Sequence, residues 1–107
     1  MMKRLMENVN ELVKQELKLA NENHPPFNSR HEGYAVLLEE VEEAKSEMEM
    51  VSTNLGYVWT SIKSDIPSIP MTGIRICAVR LACEAIQVAA MCDKFSDFKD
   101  SKETKVF

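Results

Sequence analysis

All four prolines fall in two short stretches, His24-Pro25-Pro26 and Ile66-Pro67-Ser68-Ile69-Pro70. Proline removes a backbone donor and restricts the residue before it, so each stretch ends a helix and turns the chain. The 107 residues are thereby cut into three pieces of helical length. In the first, Leu5, Val9, Leu12, Val13, Leu17 and Ala20 recur at steps of three and four, which predicts a helix over Met2 to Asn23. Phe27 is expected to plug the first corner. Asn28 or Ser29 then offers an N-cap, with Glu32 where a capping-box acid would stand.

The second helix is expected from about Arg30 to Ser52, with Tyr34, Leu37, Leu38, Val41, Ala44, Met48 and Val51 as its core stripe. Gly56 reads as a weak point, followed by a short apolar helical piece carrying Tyr57, Val58, Trp59 and Ile62. A third long helix is expected from Thr72 or Gly73 to about Phe95, after which the chain turns polar. No strand shows convincing alternation. The reading is one all-α domain over residues 1–95, a bundle of three long helices plus a short helical segment, followed by a polar tail over 96–107.

Composition narrows the function classes. A net charge of −4 argues against a general nucleic-acid binder, which would carry a basic stripe. It leaves room for a nucleotide, since Mg²⁺ can bridge acids to phosphates. Cys77, Cys83 and Cys92 are odd in number and form no CxxC pair, so they read as small buried hydrophobes in a reducing compartment. No apolar run reaches the roughly 20 residues of a membrane span, and none reads as a signal peptide, so a cytoplasmic protein without membrane contact is expected. His24 and His31 flank the first corner without metal-ligand spacing and read as surface or capping residues.

Two helix faces carry chemistry. Glu39, Glu40, Glu43 and Glu47 share one face of the second helix, where like charges three and four apart repel. On the third helix every residue from Ile76 to Cys92 is apolar except Arg80, Glu84 and Gln87, spaced i, i+4, i+7. A helix apolar nearly all round is normally buried, so Glu84 needs a cation, a donor or a proton. Arg80, one turn away, could supply the charge. Alternatively, the Glu84 stripe could meet the acidic face of the second helix and form a carboxylate cluster fit for a divalent cation.

The run Leu37-Leu38-Glu39-Glu40-Val41-Glu42-Glu43-Ala44 resembles the EExxE signature of the MazG-like all-α nucleoside triphosphate pyrophosphohydrolases. Their second motif, ExxD, would match Glu84-Ala85-Ile86-Gln87, and the resemblance spans roughly residues 29–95. It implies a helical homo-oligomer, a dimer or dimer of dimers, that hydrolyses a nucleoside triphosphate to the monophosphate and pyrophosphate with Mg²⁺ (or Mn²⁺). By position it implies Glu40, Glu43 and Glu84 as metal ligands and Glu39 as the residue that orients or deprotonates water. Gln87, in the fourth ligand position, departs from the family's Asp and removes one negative charge. Arg80 and Lys94 are candidates for substrate binding, with Arg30 and Arg75 further basic residues in reach. The alternative is a non-catalytic helical interaction protein with a degenerate site.

Overall fold

The computed structural model describes residues 2–99, and they form three α-helices: α1 (Met2–Asn23), α2 (Arg30–Lys63) and α3 (Thr72–Asp97). Helix α1 coincides with its predicted span. It stops at the proline corner, where Phe27 is buried against Phe95 and Phe98, ring centroids 6.4 and 6.5 Å away. Ser29 is the N-cap of α2, its Oγ accepting from the Glu32 backbone N–H at 3.1 Å. The Glu32 carboxylate accepts from Asn28 Nδ2 at 2.9 Å rather than closing a full capping box.

Helix α2 does not break at Gly56. It runs unbroken over 34 residues, so the expected short fourth piece belongs to it. A glycine in a helix interior costs only about 1 kcal/mol, which the packing of Val51, Asn54 and Val58 on the facing side can offset. The stop comes at Lys63, where the Ile66 N–H bonds back to the Ser61 carbonyl and Asp65 takes a left-handed φ of 54°. Asp is one of the few side chains that tolerate that conformation. Ser96 and Asp97, placed in the polar tail by composition, extend α3 by two residues; the rest of that tail from residue 100 lies outside the described residues.

Helices α2 and α3 form a long antiparallel hairpin. Gly33 lies against Phe95 near one end, and Asn54 meets Gly73 and Cys77 towards the other. Helix α1 packs along the C-terminal half of α3, centring the core on Val13, Phe27, Ala90 and Met91, with Val9, Leu17, Val36, Leu37 and Ile86 around it. The molecule is elongated, 68 × 29 × 24 Å, with a radius of gyration of 18.8 Å against about 13 Å for a compact chain of this length.

That shape overturns three burial expectations. The side of α2 facing α3 carries Gly33, Val36, Leu37, Glu40, Ala44, Glu47, Val51, Asn54 and Val58, a mixed stripe at helical spacing. Tyr34, Leu38, Val41 and Met48, expected in the core, lie on the next face and are exposed, as are Leu5 and Leu12 of α1. Helix α3 is not enclosed by one chain, since Ile76 and Val79 are exposed. Of the cysteines Cys77 is buried, whereas Cys83 and Cys92 are exposed. The common cause is that two neighbours cannot cover a 26-residue apolar helix on all sides. No helix among the described residues is long and apolar enough to cross a membrane.

Candidate metal centre

Midway along the hairpin the mixed stripe of α2 meets the polar stripe of α3. Glu40 and Glu43 are one turn apart on α2, and Glu84 joins them from α3. One carboxylate oxygen from each lies within 4.8 Å of the others. Glu40 and Glu84 are half-buried and Glu43 is exposed, so the cluster sits at the edge of the helix interface with one side open to solvent.

The electrostatics follow from this geometry. Burial raises the Glu40 carboxyl above its ordinary range, and the charges of Glu43 and Glu39 add to the shift. Glu84 is raised first by burial, then by a side-chain hydrogen bond with Glu43 and by the charges of Glu43, Glu40 and Glu47. Arg80 does not relieve it. It is exposed and forms no ion pair with Glu84 among the described residues, which removes the simpler of the two accounts of Glu84. Three hard oxygen donors from two helices, each repelling the others, match the preference of a divalent cation such as Mg²⁺.

Glu39 stands outside the triad on the exposed side of α2, contributing charge to Glu40 rather than an oxygen to the cluster. Gln87 lies one turn beyond Glu84, half-buried, and its Nε2 donates to Glu16 Oε2 of α1 at 2.7 Å. The amide nitrogen is therefore committed to α1, leaving the carbonyl oxygen as the group it can offer elsewhere. Glu16 was not singled out by the sequence. A lone acid in the Lys/Glu-rich stretch of α1 carries no signal until the packing of α1 on α3 is known.

Glu40 and Gln87 also line a cleft of about 560 Å³ between α1 and the hairpin, walled by Leu19, Ala20, Phe27, Val36 and Met91 and reaching Lys94. Small-molecule sites commonly occupy roughly 300–1,000 Å³. Of the basic candidates, Lys94 faces this cleft, whereas Arg80 and Arg75 are exposed and line none of the cavities described. Arg30 is exposed at the start of α2. His24 lines the cleft mouth, while His31 is exposed on the first turn of α2. No protein-family model matches the chain, and neither a curated protein nor a solved structure matches it.

Proposed function

We propose that the chain is a Mg²⁺-dependent nucleoside triphosphate pyrophosphohydrolase that works as a homo-oligomer. The observation that carries this reading is the convergence of Glu40, Glu43 and Glu84 from two helices, none of them ion-paired among the described residues. The cleft opening beside Glu40 supports it, as does the resemblance of the two acidic motifs to the MazG-like enzymes.

In this reading Glu40, Glu43 and Glu84 hold the metal, and Gln87 offers its amide oxygen as a weaker, neutral fourth ligand. Bound Mg²⁺ would offset phosphate charge and make a water more acidic. Glu39, solvated and one residue from the triad, orients that water or takes its proton. Cleavage between the α- and β-phosphates then yields the monophosphate and pyrophosphate. Lys94 lies further along the cleft and faces the rest of the nucleotide.

The test is a thermal melt with increasing Mg²⁺ or Mn²⁺, paired with an assay of pyrophosphate release. A ligand of the native state at a hundred times its Kd adds about 2.7 kcal/mol of stability. Glu43→Gln and Glu84→Gln should abolish both responses, whereas Glu49→Gln, on an exposed part of α2, should leave them intact. Equal loss from all three would reduce the effect to screening of surface charge.

A second reading, a non-catalytic helical interaction protein, draws on the neutral Gln87 and its bond to Glu16. It predicts a metal response without pyrophosphate release.

A further inference from the structure

Beyond the triad, the cleft ends at the single buried charge among the described residues. Lys94 is only 7% exposed. Its ammonium lies 5.1 Å from the centre of the Phe27 ring and forms neither an ion pair within 4.0 Å nor a hydrogen bond with any of the described residues. An ammonium carries three donors. Burying it unpaired is costly, and an aromatic face compensates only in part. The site asks for an acceptor that the described residues do not supply.

The surroundings identify the kind of acceptor. Glu84, Gln87, Met91 and Lys94 follow one another at steps of three and four down one face of α3. Lys94 therefore stands ten residues, about 15 Å of helix rise, from the triad's Glu84. This separation suits a nucleotide lying along the cleft with its phosphates at the triad. Between the two ends Leu19, Ala20, Phe27, Val36 and Met91 give the walls their apolar part, and the acids Glu16 and Glu32 line them as well. Such walls suit a flat ring and not a hydrated polyphosphate, so the base belongs at the Lys94 end.

We propose that Lys94 reads the base, donating to an exocyclic keto oxygen and rejecting bases that carry an amino group at that edge. The proposal rests on the nucleotide reading of the triad and adds its substrate class: keto-bearing nucleoside triphosphates. An amino group turned towards the ammonium sets donor against donor and leaves the buried charge unpaired. Sites built to hydrogen-bond one group discriminate strongly against a ligand that lacks it.

Inosine and adenosine triphosphates differ at the six-position as keto against amino and are nearly equal in size. The test is calorimetric binding of their α,β-methylene analogues with Mg²⁺. The wild-type chain should bind the inosine analogue at least about tenfold more tightly, since a pocket that pairs with the ligand's polar group separates such analogues by that much or more. Lys94→Met, which keeps the stem and removes the charge, should bring the two within about twofold by weakening the inosine analogue alone. Lys94→Arg, which keeps the charge and the donors, should retain the preference. Equal affinities in the wild type, or a preference surviving in folded Lys94→Met, would overturn base reading while leaving nucleotide binding intact. Failure of the wild type to bind either analogue would overturn the nucleotide reading and this proposal with it. If Lys94→Met does not fold, the wild-type ratio and Lys94→Arg decide: a ratio near one, or its loss in Lys94→Arg, sinks the assignment.

Discussion

The carboxylates of Glu40 and Glu84 are held above their ordinary value of 4.5, and that has a sign for stability. A group whose pKa is raised on folding binds its proton more tightly in the native state. Its stabilising contribution is complete below the unfolded value and is lost as pH rises through the folded one. The metal-free protein should therefore melt higher in the mid-acid range than this pair would allow at neutral pH. Mg²⁺ should counter the loss at neutral pH, because it binds the ionised form, and its benefit should fade on acidification. Melting curves from pH 4 to 8, with and without Mg²⁺, check both; an unchanged profile in Glu84→Gln would remove the triad as the cause. Gln87 gives a second prediction. Gln87→Asp would supply the acid of the ExxD pattern, yet it sets a carboxylate towards Glu16, whose oxygen now accepts the Gln87 amide at 2.7 Å. Without metal the variant should lose about 1–3 kcal/mol, the cost of a half-buried polar group left without its partner. Adding Glu16→Gln, which can donate to the new carboxylate, should recover most of it. Additive losses in the double-mutant cycle would show that the two residues do not act as a pair.

At the scale of the helices, two glycines of α2 separate local preference from packing. At Gly33 a β-carbon would lie 2.6 Å from Phe95 Cδ2 and 3.0 Å from Phe27, within the packed corner. Gly33→Ala should destabilise by about 1–3 kcal/mol through overpacking, despite the better helix propensity. Gly56 has nothing within 4 Å of that position, so Gly56→Ala should stabilise by up to about 1 kcal/mol. Urea unfolding of both variants checks the opposite signs. The same contrast explains what the sequence could reveal. Helix ends were legible because prolines and the Ser29 cap act locally, and α1 and the start of α3 were correctly bounded. The continuity of α2 through Gly56 was not, because a weak breaker yields to the hairpin partner alongside. Glu40, Glu43 and Glu84 could be named from spacing and resemblance. The link from Glu16 to Gln87 and the burial of Lys94 depend on where α1 lands, a long-range choice that no local pattern records.

For the whole molecule, the small core is the decisive quantity. Among the described residues five apolar side chains are buried, while eighteen large ones are exposed, including Trp59, Leu55 and Met48. A monomer with that surface should associate, so sedimentation at micromolar concentration should show a dimer or a dimer of dimers, and Met48→Glu should shift it towards monomer. A wild-type species of 12.2 kDa would refute this. The outer face of α2 also fixes how two copies could meet. Tyr34, Leu38, Val41, Lys45, Met48, Ser52, Leu55, Trp59 and Ile62 alternate at steps of four and three, the repeat of a coiled-coil seam. Laid head to head, two such seams oppose Lys45 to Lys45, two like charges in one layer. Laid head to tail about Met48, they set Lys45 opposite Ser52, Val41 opposite Leu55 and Leu38 opposite Trp59, so every layer is either apolar or free of repulsion. The two polar interruptions thus encode direction: cysteines introduced as Lys45→Cys and Ser52→Cys on separate copies should cross-link, and Lys45→Cys alone should not.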